Sequence, residues 1–429
     1  MPWTSLTLQV TTPLFNGGAD QATGQTTGQD ADRDAGETAG RDAVRVASIR
    51  GAMRFWFRAL AGCAVGPHLD LLTALEHRVF GSTDAASPLV LRIPTQPGVR
   101  ETSRQHDFLL RRDAARWIVY LLGQGHGDLR TLKLNRPYVA PGETFTLDVR
   151  FRHHRGTGED EATAVEALAL TALWLTCTYG GVGARTRRGF GGVRIGGVEG
   201  ALPEGWTADA LRTPSLGFYE SITCLDPATP LAASRTHLGT LLAPDQRDRV
   251  TWDDWPHLPA YPVLSTTRTR AGLAADEFRS WEQVLAYAGE QLRHFRASRA
   301  NTSADANYEP KIKTPEWEDV IHGNATRFPL GALGLPVVYK GNKTVDVRGG
   351  GGKPMRRASP LWLRPVGEGS SWRLLSFAFL GEFLPGPNAP TVTVDRKRLQ
   401  VTAADVDHLT RQWITTLATG KSFLDHART

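Results

Sequence analysis

One short stretch, residues 180–193, combines three chemistries: GGVGARTRRGFGGV. Its glycines permit positive φ and close backbone approach. Arg185, Arg187 and Arg188 offer planar forks of donors that fit phosphate oxygens and stack on bases. Phe190 offers a π face for an unpaired base. Composition alone leaves two readings open. The stretch is a backbone-contact loop for single-stranded RNA, with Gly189 and Gly191 beside the phenylalanine, or it is a glycine-rich turn with solvated arginines.

A second concentration of positive charge lies in SIRGAMRFWFRAL, residues 48–60. Ile49, Met53, Trp56 and Leu60 fall at helical spacing and are expected to face a core. Arg50, Arg54 and Arg58 recur every four residues on a neighbouring stripe. No acidic residue occurs between Asp42 and Asp70, so pairing along the helix cannot compensate three stacked cations. That leaves a solvated face or an external anion. A third group, Arg348, Lys353, Arg356 and Arg357, surrounds GGGGKP at 349–354. A phosphate loop needs G-x-x-x-x-G-K-[ST] between strand and helix. Here Val347 holds the first glycine position and Pro354 replaces the hydroxyl residue. Nucleotide hydrolysis is not expected there, and Lys353, Arg356 and Arg357 read as nucleic-acid backbone contacts or as part of a surface loop.

Catalytic chemistry is harder to assemble. The 12 histidines show no H-x-x-x-H spacing, and Asp253 and Asp254 lack the spaced partners that metal-dependent phosphoryl transfer needs. Cys63, Cys177 and Cys224 are odd in number and far apart, against a disulfide framework or a zinc knuckle. No metal or cofactor is expected. Lys+Arg 50 against Asp+Glu 44 gives +6, which favours a polyanionic partner. With no basic-plus-apolar leader and no long apolar run, a soluble, cytoplasmic protein is expected.

The elements that must position these residues alternate along the chain. Residues 3–12 read as a strand, 44–62 and 69–80 as helices, 88–93 as a strand, 107–122 as a helix. Residues 144–151 follow as a strand, 159–178 as a helix buried all round after its first turn, and 193–195 as a strand. That order fits βαββαβ, with the glycine loop joining the second helix to the last strand. Residues 16–43 are Gly/Thr/Asp/Gln-rich and read as a flexible loop. A connection at 197–214 suggests two domains, 1–214 and 215–429. In the second, 215–225, 261–271, 336–340, 360–366 and 372–380 read as strands, with helices at 278–299 and 406–417. His126 lies in GQGHGD, a predicted loop tip.

The loop ARTRRGFGG resembles the glycine-rich signature of the RAMP superfamily of CRISPR effector complexes. SIRGAMRFWFRAL, VFGSTDAASPL, RFPLG with LPVVY, and RRASPLWLRPV are similar to one branch, the first-numbered Cmr subunits of type III-B complexes. The resemblance implies an α+β chain of two ferredoxin-like domains. It implies a non-catalytic RNA-binding subunit beside another RAMP subunit, near the 3′ end of a guide RNA, with guide and target RNA as partners. The residues it points to are Arg50, Arg54, Trp56 and Arg58 on the helix and Arg185, Arg187, Arg188 and Phe190 in the loop. Two other functions stay open: an endoribonuclease acting on precursor guides through His68, His77 or His126, and a protein scaffold without RNA.

Overall fold

The computed structural model describes residues 2–16, 43–100, 112–123, 125–252, 255–296, 317–339, 343–349, 354–385 and 390–423. Nearly all of the 16–43 insert, and Lys353, lie outside them.

The first half runs β1 (Thr4–Val10), α1 (Val46–Val65), α2 (Leu69–Phe80), β2 (Leu89–Thr95), α3 (Arg112–Leu122), β3 (Thr144–Phe151), α4 (Glu159–Thr178) and β4 (Val193–Glu199). The four strands form one antiparallel sheet in the order β2-β3-β1-β4. The strands alternate as their sequence does. Leu6, Leu8 and Val10 are at most 1% exposed, while Thr7 between them faces outward. On the inner face lie α1 and α4. As its composition requires, α4 is buried at every residue from Ala164 to Thr178.

The second half runs β5 (Thr269–Leu273), α5 (Trp281–Phe295), β6 (Val337–Val338), β7 (Thr344–Arg348), β8 (Pro354–Met355), β9 (Leu361–Glu368), β10 (Ser371–Phe379), β11 (Thr391–Val394), β12 (Lys397–Leu399) and α6 (Ala403–Ala418). β9, β10 and β5 make a three-stranded antiparallel sheet in that order. β6, β7, β11 and β12 make a second sheet, with β8 also on β7.

Two expected strands are not strands. Residues 215–225 begin with a 3₁₀ turn, Leu216–Tyr219. The turn buries Tyr219 and lets its hydroxyl donate to the Thr178 carbonyl at 3.3 Å. Of 261–271, only the end is strand. Its beginning lies along α1, where the Leu264 N–H donates to the Ala59 carbonyl at 2.8 Å, and where a Cβ on Gly62 would stand 2.8 Å from the Tyr261 ring. Small residues on α1 admit a chain there, and the helix takes the hydrogen bond a sheet neighbour would have taken.

The cores cross from one half to the other. One joins Leu6, Trp56 and Leu168 to Trp362 and Phe377. Another joins Phe15 and Phe190 to Leu285, Leu363 and Trp413. A third lies around Phe328, Val345, Val347 and Val392.

Candidate nucleic-acid interface

The glycine loop leaves the end of α4 and folds onto the end of β1. The Ala184 N–H donates to Phe15 O at 2.8 Å, the Gly191 N–H to Pro13 O at 2.9 Å, and the Val182 N–H to Gly191 O at 2.8 Å. On its other side the loop joins the edge of β9, where the Leu363 N–H donates to Arg187 O at 3.1 Å. The buried Arg364 guanidinium, also from β9, donates to the carbonyls of Cys177 and Gly180. It thereby closes the carbonyl end of α4 with a cation, where the helix dipole favours one.

The glycines serve this internal packing. Gly191 has φ +68°, and a Cβ there would collide with the Val182 carbonyl. A Cβ on Gly189, at φ +89°, would stand 2.6 Å from Leu285 Cδ2. Their expected part in admitting an RNA backbone is therefore replaced by admitting the protein's own chain. Phe190 is 1% exposed and meets Phe15 edge-on at a centroid distance of 5.9 Å. A base cannot stack on it.

The loop does hold its arginines at the wall of an open cleft of about 1060 Å³. Arg185, Arg187 and Arg188 come from the loop, Arg296 from the end of α5, and Arg356 and Arg357 from the segment before β9. The glycine loop and the 356–357 pair, which the sequence offers as separate motifs, thus share one site. Main-chain hydrogen bonds between Leu335 and Arg357, at 2.9 and 3.1 Å, fix the far wall. Phe55, Trp56 and Trp362 line the floor.

Among the described residues no carboxylate lines the cleft. Among the described residues, none of the six arginines has a carboxylate within 4.0 Å. Burial pushes the Arg188 guanidinium down to about 10, with Arg296, Arg185 and Arg187 adding to the shift against Tyr120. Burial lowers Arg187. Burial and then Arg356 and Arg136 lower Arg185, while burial and then Arg187 lower Arg357. Burial is the first cause in all four, and neighbouring arginines add to it at Arg185, Arg188 and Arg357. Arg187 rests over Trp362, 5.3 Å from the ring centroid, and over Phe55 at 5.9 Å; Arg357 lies 5.7 Å from Phe383.

The arginines of α1 do something else. Arg58 Nη1 donates to both carboxylate oxygens of Glu76 at 3.1 Å. Arg54 Nη2 donates to the carbonyls of Phe80 and Gly81, at 3.1 and 2.9 Å, at the carbonyl end of α2. Arg50 Nη2 donates to Leu89 O at 3.2 Å. Acceptors within the fold take the place of the external anion: one carboxylate, Glu76, and the carbonyls of Phe80, Gly81 and Leu89. Trp56, also expected to face RNA, is 1% exposed and packed among Tyr179, Trp362 and Phe377. What α1 gives the cleft is another stripe, Ser48, Ala52 and Phe55. That stripe and the arginine stripe lie on opposite flanks of the buried one.

Phe55 and Trp362 were not marked by the sequence, and the basic end of α5, with Arg296, reads there as a helix-dipole cation or equally as an RNA contact. Arg296 ends α5, where a cation suits the helix dipole whatever else it does, and Phe55 lies in an otherwise apolar run. Of the three histidines weighed for catalysis, His126 is 8% exposed against Phe15, not at a loop tip. Burial, then Arg185 and Arg136, pushes it down to about 4. His68 Nδ1 accepts from Arg249 Nη2 at 3.1 Å, and His77 is exposed on α2. The structure does not bring the three together at the cleft. Among the described residues no group of three His, Cys, Asp or Glu could hold a metal, and no helix is long and apolar enough to cross a membrane.

The model of the RAMP superfamily matches residues 7–194, from β1 through the glycine loop. The chain is also similar to Cmr subunits of CRISPR systems. It is 32% identical over 153 residues to Cmr1-1 of Pyrococcus furiosus, across 35% of this chain and 40% of that relative. It is 26% identical over 199 residues to Cmr1-2 of the same organism, across 44% of this chain and 92% of that one. The match to Cmr1-1 thus spans well under half of that relative's length. The crystal structure of Cmr1 from Pyrococcus furiosus in its apo form shares the fold, with a TM-score of 0.52 at 20% identity over 96% of this chain and 97% of that one.

Proposed function

We propose that the arginine cleft binds the backbone of single-stranded RNA, and that the chain serves as a non-catalytic RNA-binding subunit of a type III-B CRISPR effector complex. Guide and target RNA and other RAMP subunits are its partners, in the cytoplasm. One observation carries this reading. Six arginines from three separate segments converge on one cleft, and among the described residues no carboxylate lines it. Phosphates supply what the fold withholds, a row of anions with planar acceptor faces. No hydrogen-bonding pattern for base edges is needed, which suits a subunit that must accept any guide. We read both halves as ferredoxin-like, split at 214/215. The first half supports this by its antiparallel order β4-β1-β3-β2, and the second by the order β9-β10-β5 around α5.

Photocrosslinking of a 4-thiouridine RNA, followed by peptide mapping, tests the site. Adducts are expected in peptides spanning 180–193, 48–56 and 354–362. Adducts confined to the α1–α2 side, around Arg58 and Arg78, would overturn it. Incubation with Mg²⁺ or Mn²⁺ is expected to leave the RNA intact; discrete products abolished by a single His substitution would restore the nuclease reading.

A further inference from the structure

Resting on that reading, we propose that the cleft also seats one nucleobase, on the ring of Phe55. Three aromatic side chains line the floor, but Trp56 and Trp362 are 1% and 5% exposed and spend their faces in the core. Phe55 is partly exposed, and its orientation is fixed by its neighbours. It meets Trp56 edge-on at 5.5 Å and 88°, Trp362 at 5.5 Å and 36°, and Phe379 at 6.2 Å and 83°. A ring held by three others is a rigid platform, and a base that stacks on it costs little ordering of the protein.

Space and charge favour the same seat. Ser48 and Ala52, which precede Phe55 on the cleft flank of α1, are small, so the helix wall beside the ring is low. Arg187 lies over the ring, 5.9 Å from its centroid and without a carboxylate partner among the described residues, so a base that stacks on Phe55 enters between the ring and the guanidinium. Arg185 and Arg356 are exposed on the cleft wall. A strand whose phosphates meet these two arginines turns one base inward to Phe55. Stacking reads only a π face, so every base is accepted.

The test compares two 12-nucleotide probes, an oligoadenylate and the same ribose-phosphate chain without bases. The full-length wild-type protein is expected to bind the oligoadenylate about tenfold more tightly, one stacked base being the difference. Phe55→Leu keeps an apolar side chain but removes the π face. It is expected to bind both probes equally, with the affinity of the wild type for the abasic chain. Phe55→Trp is expected to keep the preference, and it decides the question if Phe55→Leu misfolds. Equal binding of both probes by the wild type would overturn the seat and leave the phosphate reading standing. A preference retained in Phe55→Leu would also overturn it. Binding of neither probe would overturn the RNA reading itself, and the seat with it.

Discussion

The arginines of α1 and those of the cleft belong to the same kind of side chain on adjoining surfaces, yet they face opposite surroundings. Arg54 and Arg58 are 34% and 43% exposed and meet carbonyls and the carboxylate of Glu76, itself only 12% exposed. Arg185, Arg187, Arg188 and Arg357 meet one another, and burial lowers all four. The first set has its counter-charge built in and stabilises the junction of α1 with α2. Among the described residues the second set has none, and a bound anion would relieve the repulsion between its members. Charge density along the sequence does not distinguish the two. What distinguishes them is the partner each finds after folding.

The glycine loop is where that difference breaks most completely. Gly191→Ala would drive a methyl group into the Val182 carbonyl at a φ of +68°. The expected cost is about 3 kcal/mol or more, lowering the melting temperature by several degrees and scattering the cleft while the α1 arginines keep their partners. A melting curve like the wild type's would mean that the loop is not the structural hub described.

Next comes Arg58→Ala, which leaves the largely buried Glu76 without the Nη1 donor its two oxygens share, with Arg54 the remaining cation beside it. A loss of about 1–2 kcal/mol is expected after allowing for the exposure of the arginine. RNA affinity should stay unchanged. Arg185→Gln is the counterpart: it removes a like charge, so the melting temperature at low salt should hold or rise while RNA affinity falls. Denaturant midpoints for the two variants give the comparison. Equal destabilisation would erase the proposed division.

The smallest effect concerns His126. Folded, it titrates near 4 because it is buried and faces Arg185 and Arg136, whereas unfolded it titrates near the ordinary histidine value of 6.5. Between those values the unfolded chain binds more protons than the folded one, so stability falls as pH drops from about 6.5 toward 4. Two-dimensional NMR of the imidazole should show its pKa rising in Arg185→Gln and on addition of RNA. A pKa that responds to neither would place His126 outside the field of the cleft.

Much of the first half was legible in sequence. Leu6, Leu8 and Val10 alternate, and α4 is apolar all round, so strand and buried helix follow from period and composition. The second half was read less well. Residues 261–264 carry a strand pattern but find their hydrogen bond on α1, a tertiary override that no local pattern announces. At the site, the sequence supplied Arg185, Arg187, Arg188, Arg356 and Arg357 but not their meeting, which rests on contacts between the loop and β9. It assigned an external anion to Arg50, Arg54 and Arg58 because no acid lay nearby in sequence. Glu76 reaches Arg58 across a separation of 18 residues. Trp56 and Phe190 were misjudged for a related reason: an aromatic beside arginines looks like a stacking platform, but both rings were needed in cores.

Salt-titrated RNA binding on a crossed pair of double mutants tests the central claim most directly. For a single strand, each phosphate contact contributes about −0.7 to the log–log slope. Arg185→Ala with Arg356→Ala, both exposed on the cleft wall, should flatten the slope by about 1.4 and weaken binding at every sequence alike. Arg54→Ala with Arg58→Ala should lower the melting temperature and leave the slope at its wild-type value. A cleft mutant with the wild-type slope, or an α1 mutant that flattens it instead, would contradict the account.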